Sequence, residues 1–229
     1  MKALILGGGL GTRLYPITYN IPKSLVIIGN FPILERQVKQ LAPLVDEIVL
    51  AVGYLSSSIK YFIKNNTFDV KITLSIEDKP LGTGGALKLA EKYLTDTFFM
   101  LNGDIVFEFD LKDMLKFYNE NKTIGTIAGV FVNDNSRYGT LQIDGKSIVG
   151  FHEKSKKYPD FPINAGIYIL EPEIFSYIKP YKKVSIEKDI FDKLSKNGKM
   201  SYYPAGGFWK DIGTIKDLKI AHEYLEGSM

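Results

Sequence analysis

The sequence predicts an α/β fold, a parallel sheet with helices on both faces, in a single domain. Two observations carry that expectation. Short apolar runs of strand length alternate with helix-spaced segments through the first half of the chain. The 229 residues, 45% hydrophobic and 24% charged, suffice for one full core, and no low-complexity linker or fixed-period repeat divides them.

Residues 2–6 are an apolar run ending in glycines, which suits a buried strand. Over 31–42, Ile33, Leu34, Val38 and Leu41 recur at helical spacing, with Pro32 at the start where a missing N–H costs little. A second buried strand follows at 46–52. A helix is expected at 56–63, with serines available to cap it. Residues 70–76 alternate like a strand, 84–93 read as a helix and 97–101 as another buried strand. In the second half, 124–132 form a long strand. Residues 140–143 and 147–151 flank the turn Asp144-Gly145-Lys146. A strand at 163–170 and helices at 186–196 and 214–224 complete the expectation.

Composition removes several classes of function. Without cysteine there is no disulfide, thiolate metal site or cysteine nucleophile, and two histidines leave little for a histidine-rich metal centre. A net charge of +3, dispersed along the chain, does not argue for nucleic acid. No apolar run approaches the roughly 18 residues that span a bilayer. The opening MKALILGGG reads as a strand and loop rather than a signal peptide, so a cytoplasmic protein is expected.

The densest chemistry is Gly7-Gly8-Gly9-Leu10-Gly11-Thr12-Arg13-Leu14, directly after the first strand. Backbone N–H groups at the C-terminal end of a parallel strand can cradle phosphates, and Arg13 adds a permanently charged fork. The one Gly-Lys-Ser, Gly145 to Ser147, has Thr140 where the first glycine of a P-loop belongs, and G-x-G-x-x-G fails in every register. This is a different phosphate loop. Further on, Pro22 stiffens the backbone just before Lys23, although a lone lysine beside a proline is ordinarily a surface group.

The run GGGLGTRLYPITYNIPKSL resembles the N-terminal motif of the sugar-1-phosphate nucleotidylyltransferases, G-x-G-T-R-L-x-P-x-T followed by P-K, with Ser24 where a second proline is common. Further matches follow in family order: a second glycine loop from Pro80 to Ala86, Leu101-Asn102-Gly103-Asp104, Glu153-Lys154, Asn164-Ala165-Gly166-Ile167-Tyr168 and Trp209-Lys210-Asp211-Ile212-Gly213-Thr214. Ser155 replaces a frequent proline after the Glu-Lys pair. The resemblance covers nearly the whole chain and extends to mannose- or heptose-1-phosphate guanylyltransferases. It implies a Rossmann-like, mostly parallel mixed sheet of the nucleotide-diphospho-sugar transferase (GT-A-like) type. Residues 1–122 would be the nucleotide-binding half and 123–229 the sugar-phosphate half.

The implied reaction joins an NTP and a sugar 1-phosphate to give NDP-sugar and pyrophosphate. The substrate supplies the nucleophile, so the protein must position two polyanions and neutralise charge. By resemblance, Leu6, Gly8, Gly9, Gly11, Thr12, Arg13, Lys23, Glu77, Gly82, Thr83 and Asp104 would line the nucleotide site. Arg13 and Lys23 would contact the NTP phosphates. Gly139, Glu153, Lys154 and Asn164 would form the acceptor site, with Lys154 on the sugar phosphate and Glu153 and Asn164 facing sugar hydroxyls. Glu153 and Lys154 read equally as a solvated charge pair. Asp104 alone reads as a turn or cap aspartate; paired with Asp211 it suits Mg²⁺, a hard cation that also takes phosphate oxygens. His152 and His222 are expected to be structural, and Trp209 to be packing.

Glu77 lies five residues before Gly82, where the family reads the base. Guanine offers N1–H and N2–H₂ as adjacent donors to an acceptor-only carboxylate, which favours GTP. A thymidylyl- or uridylyltransferase acting on glucose 1-phosphate or an amino-sugar 1-phosphate is the alternative. A non-catalytic nucleotide-sugar-binding regulatory paralogue is a further one, against which the retention of Arg13, Lys23, Asp104 and Asp211 argues. Neither the sugar nor homo-oligomerisation is fixed by the sequence.

Overall fold

A computed structural model describes residues 1–152, 154, 157–180 and 182–227. In chain order the elements are β1 (Lys2–Leu6), β2 (Ile27–Ile28), β3 (Phe31–Pro32), α1 (Ile33–Leu41), β4 (Glu47–Val52), α2 (Ser56–Asn65), β5 (Lys71–Ile76) and α3 (Gly82–Leu89). Then come β6 (Phe98–Asn102), β7 (Ile105–Phe107), α4 (Leu111–Glu120), β8 (Gly125–Val130), β9 (Thr140–Asp144), β10 (Ser147–His152) and β11 (Ile163–Leu170). A π-helical stretch (Ile186–Phe191) runs into α5 (Asp192–Lys196), followed by β12 (Met200–Pro204), β13 (Trp209–Asp211) and α6 (Ile215–Gly227).

Nine strands make one sheet in the order β5-β4-β1-β6-β11-β8-β12-β10-β9. β5, β4, β1 and β6 are mutually parallel, and β12 is parallel to β8. β11 runs against both β6 and β8, and β10 against β12 and β9, so only β11 and β10 oppose the common direction. The sheet is therefore mixed but mostly parallel, as the resemblance implied. Period-2 alternation divides its side chains between two cores. Ala3, Ile5, Phe99 and Leu101 enter the one with α1, α2 and α4 residues; Leu4, Phe98 and Met100 enter the other, with α3 and α5 residues. Burying each such large apolar side chain contributes about 1.5–3 kcal/mol.

Several expected boundaries move. The helix expected at 31–42 starts later, because Phe31 and Pro32 pair with Ile28 and Ile27 in a small hairpin. No serine caps α2; its first residues follow Leu55, which adopts the left-handed conformation at φ 53°. The helix expected at 84–93 begins at Gly82 and gives way to a 3₁₀ turn at Glu91–Tyr93. α4, β7, β12 and β13 were not expected. The signal for α4 was present: Asp110 accepts a hydrogen bond from Lys112 N, and Leu111, Met114 and Tyr118 follow on the buried face. Among the described residues no helix is long and apolar enough to cross a membrane.

Candidate active site

β1 ends where two neighbours hold the glycine loop in place: Gly7 N donates to Ala51 O at 2.7 Å, and Gly103 N donates to Leu6 O at 2.9 Å. A Cβ on Gly103 would stand 2.7 Å from Leu6 O, so only glycine allows the two strand ends to approach this closely. Above them opens a cleft of about 340 Å³. Leu6, Gly8, Gly9, Lys23, Glu77, Gly82, Thr83 and Asp104 all line it, so the structure gathers most of the expected nucleotide residues. Lys183, unforeseen in the sequence, lines it too. Gly11, Thr12 and Arg13 stand outside its wall. Gly11, at φ 63°, accepts the Thr18 hydroxyl on its carbonyl at 2.7 Å and serves the loop's shape. Glu77 is held by Leu81 N, which donates to Oε2 at 3.0 Å.

Asp104 follows β6, and Asp211 ends β13. The antiparallel β7–β13 ribbon, with Asp211 opposite Ile105 and Ile212 N donating to Asp104 O at 2.8 Å, brings these distant residues together. Lys23 Nζ lies 2.5 Å from Asp104 Oδ2 and 3.6 Å from Asp211 Oδ1. Burial, and then the nearby Asp104 charge, push the Asp211 carboxyl up despite Lys23 and Arg13. Asp211 Oδ1 is buried with no hydrogen bond. Arg13 closes the cluster: a Cβ on Gly213 would lie 3.0 Å from Arg13 Nη1 and 3.2 Å from Asp211 Oδ2. From behind the sheet, buried Gln37 donates Nε2 to Asn102 O and Ile105 O at 2.9 and 3.0 Å, gripping the turn that carries Asp104.

A second cleft, of about 300 Å³, shares Asn102 and Asp104 with the first. Arg13, Gly139, Lys154, Asn164 and Asp211 line it, so the expected acceptor residues meet there. Lys154 is exposed; Glu153 lies outside the described residues. Asn164 N donates to Gly139 O at 2.9 Å, tying β11 to the preceding turn. Its side chain is committed, with Nδ2 donating to Tyr168 OH at 2.8 Å and Oδ1 accepting from Gly166 N at 3.0 Å. Trp209 also lines this cleft; its Nε1 donates to Ala165 O at 2.8 Å and its ring meets Tyr138 edge-on. Burial, with Asp211 next, raises the Tyr138 phenol to about 12. The histidines sit in supporting contacts: His152 stacks on Tyr158, and His222 Nδ1 accepts from Gly29 N at 3.0 Å.

Sequence reasoning puts the family-like turn Arg137-Tyr138-Gly139 near the acceptor site without a role, and it missed two contacts of this region. Arg137 forks onto Asp217 at 3.2 and 2.8 Å, joined there by Lys210 at 3.1 Å and the Thr214 hydroxyl at 2.7 Å. Ser185 and Glu187 line the acceptor cleft, and Glu187 accepts from Thr83, which lines the nucleotide cleft. Neither contact follows a local spacing rule, since each joins residues far apart in sequence.

Comparison with known proteins accords with this geometry. The nucleotidyl transferase family model matches residues 2–228, and the chain belongs to that family. It is 42% identical over 226 residues to the mannose-1-phosphate guanylyltransferase catalytic subunit beta of Danio rerio, covering 95% of this chain and 62% of that protein. To the mannose-1-phosphate guanyltransferase of Saccharomyces cerevisiae it is 41% identical, covering 95% and 63%. The chain thus spans less than two thirds of the length of these curated relatives. Among solved structures, HddC from Yersinia pseudotuberculosis complexed with GMP-PN superposes with a TM-score of 0.82 at 35% identity, covering 98% of this chain and 99% of that one.

Proposed function

We propose that this chain transfers a guanylyl group from GTP to a mannose- or heptose-type sugar 1-phosphate, giving GDP-sugar and pyrophosphate. The observation that carries the reading is the Asp104–Lys23–Asp211 cluster at the seam of the two clefts, one walled by glycine-loop backbone and the other lined by Arg13 and Lys154. A sugar-phosphate oxygen attacks the α-phosphorus; the new P–O bond forms as the bond to the bridging oxygen of pyrophosphate breaks. Lys154 orients the incoming phosphate. Arg13 and Lys23 sit where charge builds on the α-phosphoryl oxygens.

The carboxylates fit a divalent cation. Two acids share the seam, one is raised by burial and by the other's charge, and Asp211 Oδ1 lacks a hydrogen bond. Asp104 and Asp211 would hold Mg²⁺. Its contribution when bound is to neutralise phosphate oxygens.

Glu77 supports guanine. Leu81 N fixes Oε2, and the carboxylate stands in the nucleotide cleft as an acceptor. The relatives named for guanylyl transfer point the same way. Pyrophosphate release from the common NTPs against a panel of sugar 1-phosphates tests this, with GTP expected to lead. Glu77→Gln is expected to lower kcat/KM for GTP and narrow the gap to UTP and dTTP. A wild-type preference for UTP or dTTP would remove the guanylyl assignment and leave nucleotidylyl transfer standing.

A further inference from the structure

Glu187 stands half-buried in the wall of the acceptor cleft, in the first turn of the π-helical stretch. Two hydroxyls donate to the same oxygen, Oε2: Thr83 Oγ1 at 2.9 Å and Ser185 Oγ at 2.7 Å. Thr83 Oγ1 in turn accepts Ile186 N at 2.9 Å, and Ser185 Oγ accepts Lys188 N at 3.3 Å, so the protons of both hydroxyls are directed at Glu187. Neither hydroxyl bonds Oε1. The other described carboxylates of this cleft, Asp104 and Asp211, belong to the phosphate centre. Asn164 already spends its carbonyl oxygen and one amide hydrogen on its own strand.

We infer that Glu187 determines sugar specificity, accepting a ring or exocyclic hydroxyl of the acceptor sugar on Oε1, with Thr83 as its positioning residue. The inference rests on the proposed function, since it names the part of the acceptor that this side chain reads. A carboxylate accepts from hydroxyls and repels phosphate, so Glu187 faces the sugar rather than its 1-phosphate. Thr83 also lines the nucleotide cleft, so one hydroxyl braces the sugar reader from the loop that walls the nucleotide site.

The test is a cycle of enzyme variants against monodeoxy analogues of the preferred sugar 1-phosphate. Wild type is expected to lose about 10- to 100-fold in kcat/KM on one analogue, as for a charge-assisted hydrogen bond. Glu187→Ala should lose a similar factor on the parent sugar and nothing further on that analogue, with KM for GTP within about twofold. Glu187→Gln, closest in shape, should show a reduced penalty on the same analogue and decides the matter if the alanine variant does not fold. Thr83→Val should blunt the penalty, and Thr83→Ser should restore it. The same deoxy penalties in wild type and both Glu187 variants would overturn the inference while the proposed function stood. A wild type that binds GTP yet turns over no sugar 1-phosphate would overturn both.

Discussion

At the scale of single residues, the site is a problem of like charge. Asp104 and Asp211 share a partly desolvated seam, with Lys23 as the nearest counter-ion. Asparagine in place of Asp211 removes a negative charge from a place that penalises it, so the fold should lose little stability, and Asp104→Asn is assayed beside it. Turnover should fall by orders of magnitude, because the same charge is what would hold the divalent ion against the NTP. Steady-state assays beside thermal melts check this; near-normal turnover in either variant would remove that residue from the metal site. These acids and Lys23 were legible in the sequence because each sits in a specific motif. Glu187 was not, because its partner Thr83 lies 104 positions away and only the fold joins them.

At the scale of elements, legibility followed burial. β1, β4, β6 and β11 are apolar runs buried on both faces, and they announce themselves. β7 and β13 are three residues each, defined only by pairing with one another, so no local pattern could mark them. Yet that ribbon delivers Asp211. Its continuation into α6 is fastened by Asp217, 1% exposed. Burial alone would push the Asp217 carboxyl up, but hydrogen bonds from Arg137, Thr214 and Lys210 outweigh it and hold it well below the ordinary carboxylate range. Asp217→Asn should cost about 3 kcal/mol at neutral pH, as for removing one partner of a buried ion pair. A depressed carboxyl gives stability that is present above its unfolded pKa and lost as pH falls. The gap between wild type and variant should therefore begin to narrow below about pH 4 and go on narrowing as the pH falls further. Denaturant titrations at pH 7 and pH 3 measure it, and an unchanging gap would count against the ion pair.

At the scale of the whole molecule, the glycine loop, the β6–β7 turn and the β13 end all meet where the two clefts join, so substrates filling both clefts would touch all three. Such ligands should stabilise the entire fold. At about 100 times its Kd, GTP with Mg²⁺ should add about 2.7 kcal/mol and raise Tm by about 5–10 °C. Differential scanning fluorimetry reads this, and the increment should shrink in Asp211→Asn. One side chain far from any ligand shapes that outcome. Gln37 grips the Asp104 turn from the back of the sheet. The freedom of that turn is surrendered during folding, not during the encounter with nucleotide. The carboxylate waits in place, and the affinity of a nucleotide bound at the front of the sheet would be set in part by an amide on its far side.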